Sequence, residues 1–541
     1  MKKFRVAALA VTVTAGLSLA FCTWRIPAGD ASPSGSFDTG NVISDIRVIS
    51  KDHHSVIHPE ERAQVRDFLV SRLRALGSEP EILVYPGLEA RGYSFDASCI
   101  VAEFPPLAAS PDTTWLMMTA HYDSRYPWVP VRDTVCSYGA ADDGYGLGVT
   151  LECARVALEG RKDWKQGLRI LFTDAEEVGM VGMKAVYADR KDLFDDVGMI
   201  INVEARGPFG PALLFETSGD SGRILDLYSQ TGRPYTYSLT NVVYGFMPNF
   251  TDFTVVKDSI PGMNFSTVAD INHYHTDLDR FDAVNPESIA HYGRQIVPVM
   301  GRYLCGEEYS DRDFLRGGGD GRVFFTVPLL GLLEFSRTGY LVLNAAVLLV
   351  FLLLVVLNRR NLRGLGVRCL SVLGTAVAAL ACGLALTWLA CLVTGAEFKP
   401  FGIIAGIGFD NALMAVSCAV LFVLIVRTFL IKDDMGLRIF ATMTVLAVLS
   451  AVLLALTGEN LLFLIPLSAA CISILLWQLS SWRVLLIPGI LLVTLHGASF
   501  LHTLAMALTI GAFGLVLMIA ALDMLVLTGL CGCFLLEKEG K

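Results

Sequence analysis

Polar and apolar positions divide this chain of 541 residues into two unlike parts. From about residue 30 to 335, charged, Gly and Pro residues break up the apolar ones every few positions, as in a globular domain. From residue 339 onward, apolar runs of membrane length follow one another. A bilayer-spanning helix needs about 20 mainly apolar residues. Such stretches cover 339–357, 369–394, 402–426, 439–457, 461–477 and 484–500, and 501–536 has room for one helix plus a shorter one. That predicts seven or eight spans in this half. Another apolar stretch, residues 6–21, follows Lys2, Lys3 and Arg5, the form of an export signal. No strong small-x-small cleavage site is evident, and Phe21 is bulky where a lipoprotein site before Cys22 needs a small residue. An uncleaved anchor is therefore favoured over a cleaved signal, and the spans become eight or nine.

Within the polar half, residues 58–76 carry apolar positions at helical spacing and stop at Gly77. Residues 81–85 read as a short strand, and 115–120 (WLMMTA) as a buried central one. A helix is predicted at 147–158, a strand at 168–173, a helix at 180–187 and a strand at 197–203. Strands alternating with helices predict an α/β domain, a mixed, mostly parallel sheet sandwiched by helices. The apolar segment 323–335 is short and reads as interfacial or as core. The resulting division is an anchor (1–26), a Pro/Gly/Ser linker (27–44), the α/β domain (45–310), a connector (311–338) and a multispanning region (339–541).

Charge fixes a direction. Arg359, Arg360, Arg363 and Arg368 crowd one loop between spans, Arg427, Lys432 and Arg438 flank a second, and Arg483 a third. The alternate loops hold almost no cations, Lys399 excepted. Cation-rich loops stay in the cytoplasm, so the α/β domain is expected outside it, in agreement with the basic amino terminus. The short basic leader suggests a bacterial inner membrane with the domain in the periplasm. Asp410 and Asp523 stand out in the apolar half and read as near-interface residues; so few intramembrane charges weigh against a transporter. The net charge of −9, with no basic patch, argues against nucleic acid as a partner. Among the cysteines of the polar half, Cys99, Cys136, Cys153 and Cys305, no CxxC spacing occurs, which leaves one disulfide or buried thiols as readings.

Chemically loaded residues fall where the strands end. His121 and Asp123 follow WLMMTA, Asp174, Glu176 and Glu177 follow LRILF, and Glu204 follows MIINV. Asp142 and Asp143 lie in a Gly-rich loop before a helix, and His275 in a later loop. A single carboxylate after a strand is usually a cap, but three successive strand ends so furnished point to a ligand site beyond the sheet. His and carboxylate donors without Cys suit borderline and hard divalent metals, zinc first.

The motifs TAHYDS (119–124), GAADDGYG (139–146), FTDAEEVGMVG (172–182), INVEARG (201–207) and YHTDLDR (274–280) resemble the zinc aminopeptidase family M28 in order and spacing. TDFTVVKDSIPGMNF (251–265) looks like the stretch before the family's last histidine, and the likeness covers roughly 45–305. The anchor and multispanning half look like the endoplasmic-reticulum and vacuolar membrane branch and its bacterial relatives. The resemblance implies two Zn²⁺ ions, one held by His121, Asp142 and Glu204, the other by Asp142, Glu177 and His275. It implies Glu176 as the general base and Asp123 as the acceptor that fixes the His121 tautomer. Glu204 stands where many soluble members have Asp. His275 is preferred to His273; His53, His54, His58 and His291 match no motif and read as surface or capping residues; Asp143 and Asp174 read as loop supports, and Arg206 as a salt-bridge partner. The implied activity is a membrane-bound aminopeptidase acting on peptides with a free amino terminus, with Glu176 activating a water between the ions. The alternatives are a glutaminyl cyclase, which uses one zinc, and a non-catalytic membrane scaffold or transporter.

Overall fold

The computed structural model describes residues 2–24, 37–110, 112–126, 136–219, 222–231, 234–246, 249–316, 321–327, 330–402, 404, 407, 411–430, 435–507 and 510–535. It separates into two compact units, residues 26–337 and a second made of residues 1–25 with 338–541.

In the first unit seven strands make one mixed sheet. They are β1 (Glu81–Ala90), β2 (Tyr93–Phe104), β3 (Trp115–His121), β4 (Gly167–Thr173), β5 (Val197–Ala205), β6 (Leu213–Thr217) and β7 (Gly262–Thr267). Their order is β1-β2-β4-β3-β5-β7-β6. The contiguous strands β4, β3, β5 and β7 are parallel, and antiparallel pairs flank them on both sides. Every residue of β3, β4 and β5 is buried. Their side chains alternate between two cores, as period-two geometry requires. Met118, Ala120, Ile170, Phe172, Ile201 and Val203 pack under the helices Thr39–Ile49, Pro59–Ala75, Gly144–Glu159 and Pro286–Cys305. Met117, Leu171 and Ile200 pack under Val181–Asp189 and Asp252–Val256.

Register brings the strand ends level. His121 pairs with Thr173, and Thr119 with Asn202, so Glu204 lies two residues on, beside His121. Residues after β3, β4 and β5 therefore open onto one edge of the sheet.

Two segments differ from the sequence reading, and a third, residues 323–335, takes the core alternative at Phe324. The β1–β2 hairpin is much longer than the five residues predicted, because β2 (YSFDASCIVAEF) mixes polar and apolar residues without a clean period. The helix Thr39–Ile49 begins inside the segment assigned to the linker, which ran to residue 44. Asp38 caps it by accepting from Gly40 N–H, and Val42, Ile46 and Ile49 bury its inner face. The Pro/Gly/Ser run just upstream concealed that spacing. Residues 323–335 form a hairpin, β8 (Val323–Val327) and β9 (Gly331–Phe335), with Phe324 in the domain core.

In the second unit, seven helices among the described residues are long and apolar enough to cross a membrane. One is Phe4–Phe21, and six follow residue 336; Val416–Val426 is a shorter apolar helix. The apolar helix Arg483–Met506 runs through a π-turn at His496–Phe500, so the break expected at 500 does not occur there. Helices approach closely at small residues, Gly16 against Thr494 and Gly383 against Gly514. Asp523 sits mid-helix and buried, its Oδ2 3.0 Å from His496 Nδ1. Asp410 lies outside the described residues.

Candidate metal centre

Each strand end contributes one side chain to a common pocket. β3 ends in His121, which is 1% exposed. β5 presents Glu204, whose Oε2 lies 3.6 Å from His121 Nε2. The turn after β4 brings Glu177, and its backbone takes the left-handed form at Ala175 (φ 59°). The loop after β7 brings His275, also left-handed (φ 59°), with its ring stacked on Tyr274 at 3.6 Å between centroids. Left-handed backbone costs a non-glycine residue about 1–2 kcal/mol, so these two turns persist because the surrounding contacts impose them.

Asp142 lies between the two histidines. Its Oδ1 is 3.2 Å from His121 Nε2, and its Oδ2 is 3.4 Å from His275 Nε2. Glu177 Oε2 is 3.3 Å from the same His275 nitrogen. The five side chains thus fall into two groups that share one carboxylate. Donor atoms of Asp142, Glu177 and His275 lie within 4.8 Å of one another, and so do those of His121, Glu204 and Asp143.

Asp143, read from the sequence as a loop support, therefore also lies at the pocket. Its oxygens nonetheless have other donors: Oδ1 accepts from Gly146 N–H (2.9 Å), capping the helix Gly144–Glu159, and Oδ2 faces His121 N–H at 3.4 Å. The Asp142–Asp143 peptide is cis. Asp279, from the YHTDLDR stretch, holds this loop from behind. Its carboxylate accepts Ala141 N–H at 2.7 Å, Asp142 N–H at 3.2 Å and the Ser137 hydroxyl at 3.1 Å. Sequence reasoning passed over Asp279. Its signal was an acidic residue inside a motif already singled out.

Asp123 acts less directly on His121 than the sequence suggested. His121 Nδ1 is 3.0 Å from the Asp123 carbonyl oxygen and 3.5 Å from its carboxylate. The carboxylate instead accepts Glu176 N–H (2.9 Å) and Glu177 N–H (3.2 Å), so it shapes the turn that carries both glutamates. Asp174 accepts Ser98 N–H at 2.9 Å and faces Arg62 at 3.5 Å, a loop support. His273 turns away, with Nδ1 3.1 Å from the Asp270 carbonyl. Arg206 is half-buried with its guanidinium over the Tyr274 ring, 5.4 Å from the centroid. His54 and His291 are not surface residues: both are buried, and His291 Nδ1 accepts Ala212 N–H at 3.0 Å. Cys99, Cys136, Cys153 and Cys305 are all free thiols.

The electrostatics of the pocket call for positive charge. Burial pushes the Glu176 and Asp143 carboxyls well above their usual range, and Glu204 upward despite His121. Burial acts on Asp142 in the same sense, but hydrogen bonds from His121 and His275 hold it below the usual range. Burial opposes charge on His121, yet Asp123, Asp142 and Glu204 together raise it well above its usual value. Glu177 Oε1 is buried with no hydrogen-bond partner among the described residues. Cations placed between these groups would relieve each imbalance. Two imidazoles and several carboxylates are the donors that zinc accepts.

Residues 100–300 match the sequence profile of peptidase family M28. The endoplasmic reticulum metallopeptidase 1 of Mus musculus is 28% identical over 245 residues, which are 43% of this chain and 26% of that protein. The vacuolar membrane protease of Verticillium alfalfae is 29% identical over 180 residues, 32% of this chain and 16% of its own length. The chain thus spans about a quarter or less of these two relatives. Among solved structures, the glutaminyl cyclase of Porphyromonas gingivalis is 19% identical, covering 50% of this chain and 99% of its own, with a TM-score of 0.40. Both relatives are named for eukaryotic membranes, so the expected bacterial inner membrane finds no support in them.

Proposed function

Residues 100–300 are a peptidase family M28 domain, and from that premise we propose that the chain is a membrane-bound, two-zinc aminopeptidase. The observation that carries the reading is Asp142, whose two carboxylate oxygens face two different imidazoles. One ion would be held by His121, Asp142 and Glu204, the other by Asp142, Glu177 and His275. When bound, a zinc pair polarises a carbonyl and brings the pKa of water toward neutrality.

The chain's own residues do the rest. Glu176 is half-buried at the pocket, its backbone fixed by Asp123, and burial favours its uptake of a proton. It takes the proton from the attacking water and delivers it to the departing amine. Asp123 keeps Glu176 and Glu177 on one turn while they face different tasks. Asp279 keeps Asp142 in place through its backbone. The substrate is a peptide with a free amino terminus. The cation-rich loops support a position of the domain outside the cytoplasm, with the apolar helices in the bilayer.

The test is the purified full chain in detergent, assayed on an aminoacyl amide and on a peptide with an amino-terminal glutamine. Release of the amino acid is expected, and cyclisation is not. Glu176→Gln should keep its metal and lose about 10²–10⁴-fold in rate. A Gln variant that hydrolyses at the wild-type rate would end the assignment of the base.

A further inference from the structure

Beside the pocket lies a cation that the proposed chemistry does not use. Arg125, the residue after HYDS, is 9% exposed. Its Nη1 lies 2.7 Å from Glu177 Oε2 and donates also to the Glu177 carbonyl at 2.8 Å. The same Oε2 is the atom that approaches His275. One oxygen of Glu177 is thus engaged by a guanidinium, while Oε1 has no hydrogen-bond partner among the described residues. On the other side Glu204 Oε2 faces the His121 ring at 3.6 Å, and its Oε1 accepts from the neutral Asn202 amide at 3.1 Å.

We propose that Arg125 lowers the affinity of the cation position formed by Asp142, Glu177 and His275, so that the two positions fill at different metal concentrations. The inference rests on the two-zinc reading above. A guanidinium does two opposing things here. Its bond to the Glu177 carbonyl and carboxylate fixes the rotamer, which favours binding. Its positive charge neutralises part of the carboxylate and repels a dication on the far side of it. In a buried site with reduced screening, repulsion between a dication and a charge one carboxylate away outweighs the gain from holding one rotamer. The position at His121 feels this less, because Glu177 is not among its ligands.

The experiment separates charge from positioning. The full chain is stripped with a chelator and titrated with Zn²⁺ against a chromophoric competitor. The wild type should take up two ions in resolved steps, with affinities at least about tenfold apart. Arg125→Gln keeps a hydrogen-bond donor and removes the charge; it should tighten the weaker step by about tenfold or more and leave the first unchanged. Arg125→Lys keeps the charge and should leave both steps as in the wild type. A weaker step that is unchanged or loosened in Arg125→Gln overturns the role of Arg125. So does a wild type that binds both ions with one affinity, a result that needs no variant to fold. A wild type that binds one ion only, even at saturation, instead sinks the two-zinc reading itself.

Discussion

At the scale of single residues, burial governs the protonation of a histidine packed against the loop after β3. His54 matches no motif, yet it is 1% exposed and tied to the site's scaffold. Its N–H donates to Ser124 Oγ at 3.1 Å, and its Nδ1 is 2.9 Å from the Asp52 carbonyl. Burial lowers its pKa to about 4. In the unfolded chain a histidine titrates near 6.5. Between those values the unfolded state takes up a proton that the folded state refuses. Stability is therefore fully retained above about pH 6.5 and declines as pH falls toward 4, by roughly 3 kcal/mol from this residue. His54→Asn keeps a donor toward the Asp52 carbonyl and removes the titration. Denaturant unfolding of the chelated full chain at neutral and acid pH should show a shallower loss in the variant. Equal losses in both proteins would contradict this account of His54.

At the scale of elements, the turn after β4 must admit a helix start directly over its own backbone. A Cβ built on Gly182 would overlap the Asp174 carbonyl oxygen, which is backbone and cannot turn aside. Gly182 N–H also donates to that oxygen at 3.1 Å. Gly182→Ala should cost about 2–3 kcal/mol or more, as overpacking does. The loss is read as a lower unfolding midpoint; an unchanged midpoint would show that the turn yields easily. The same scale explains what the sequence could convey. β3, β4 and β5 were legible because unbroken apolar runs such as WLMMTA have few other uses. β2 was not, because its inner and outer residues do not alternate cleanly in polarity. The helix Thr39–Ile49 was missed because composition outweighed the spacing of Val42, Ile46 and Ile49. His121, Asp142, Glu177, Glu204 and His275 could be nominated from strand ends and motif likeness. Their separation into two groups depends on the level register of β3 and β5, and on the backbone of Asp142 being held by Asp279. Arg125 was not singled out at all, since its partner lies 52 residues away.

For the whole molecule, one family domain and a set of apolar helices share a chain, and each unit has its own packing logic. The α/β unit buries apolar strands on both faces, so polar side chains gather at the sheet's open edge. The helical unit joins through small residues and buries a His–Asp pair, His496 with Asp523. The claim on which the rest depends is that the first unit binds two cations around Asp142. The most direct measurement is the zinc content per chain, by elemental analysis, of the purified full-length protein and of His275→Ala after equilibration with excess Zn²⁺. The account requires two ions in the wild type and one in the variant. One ion or none in the wild type, or two retained without His275, would contradict it.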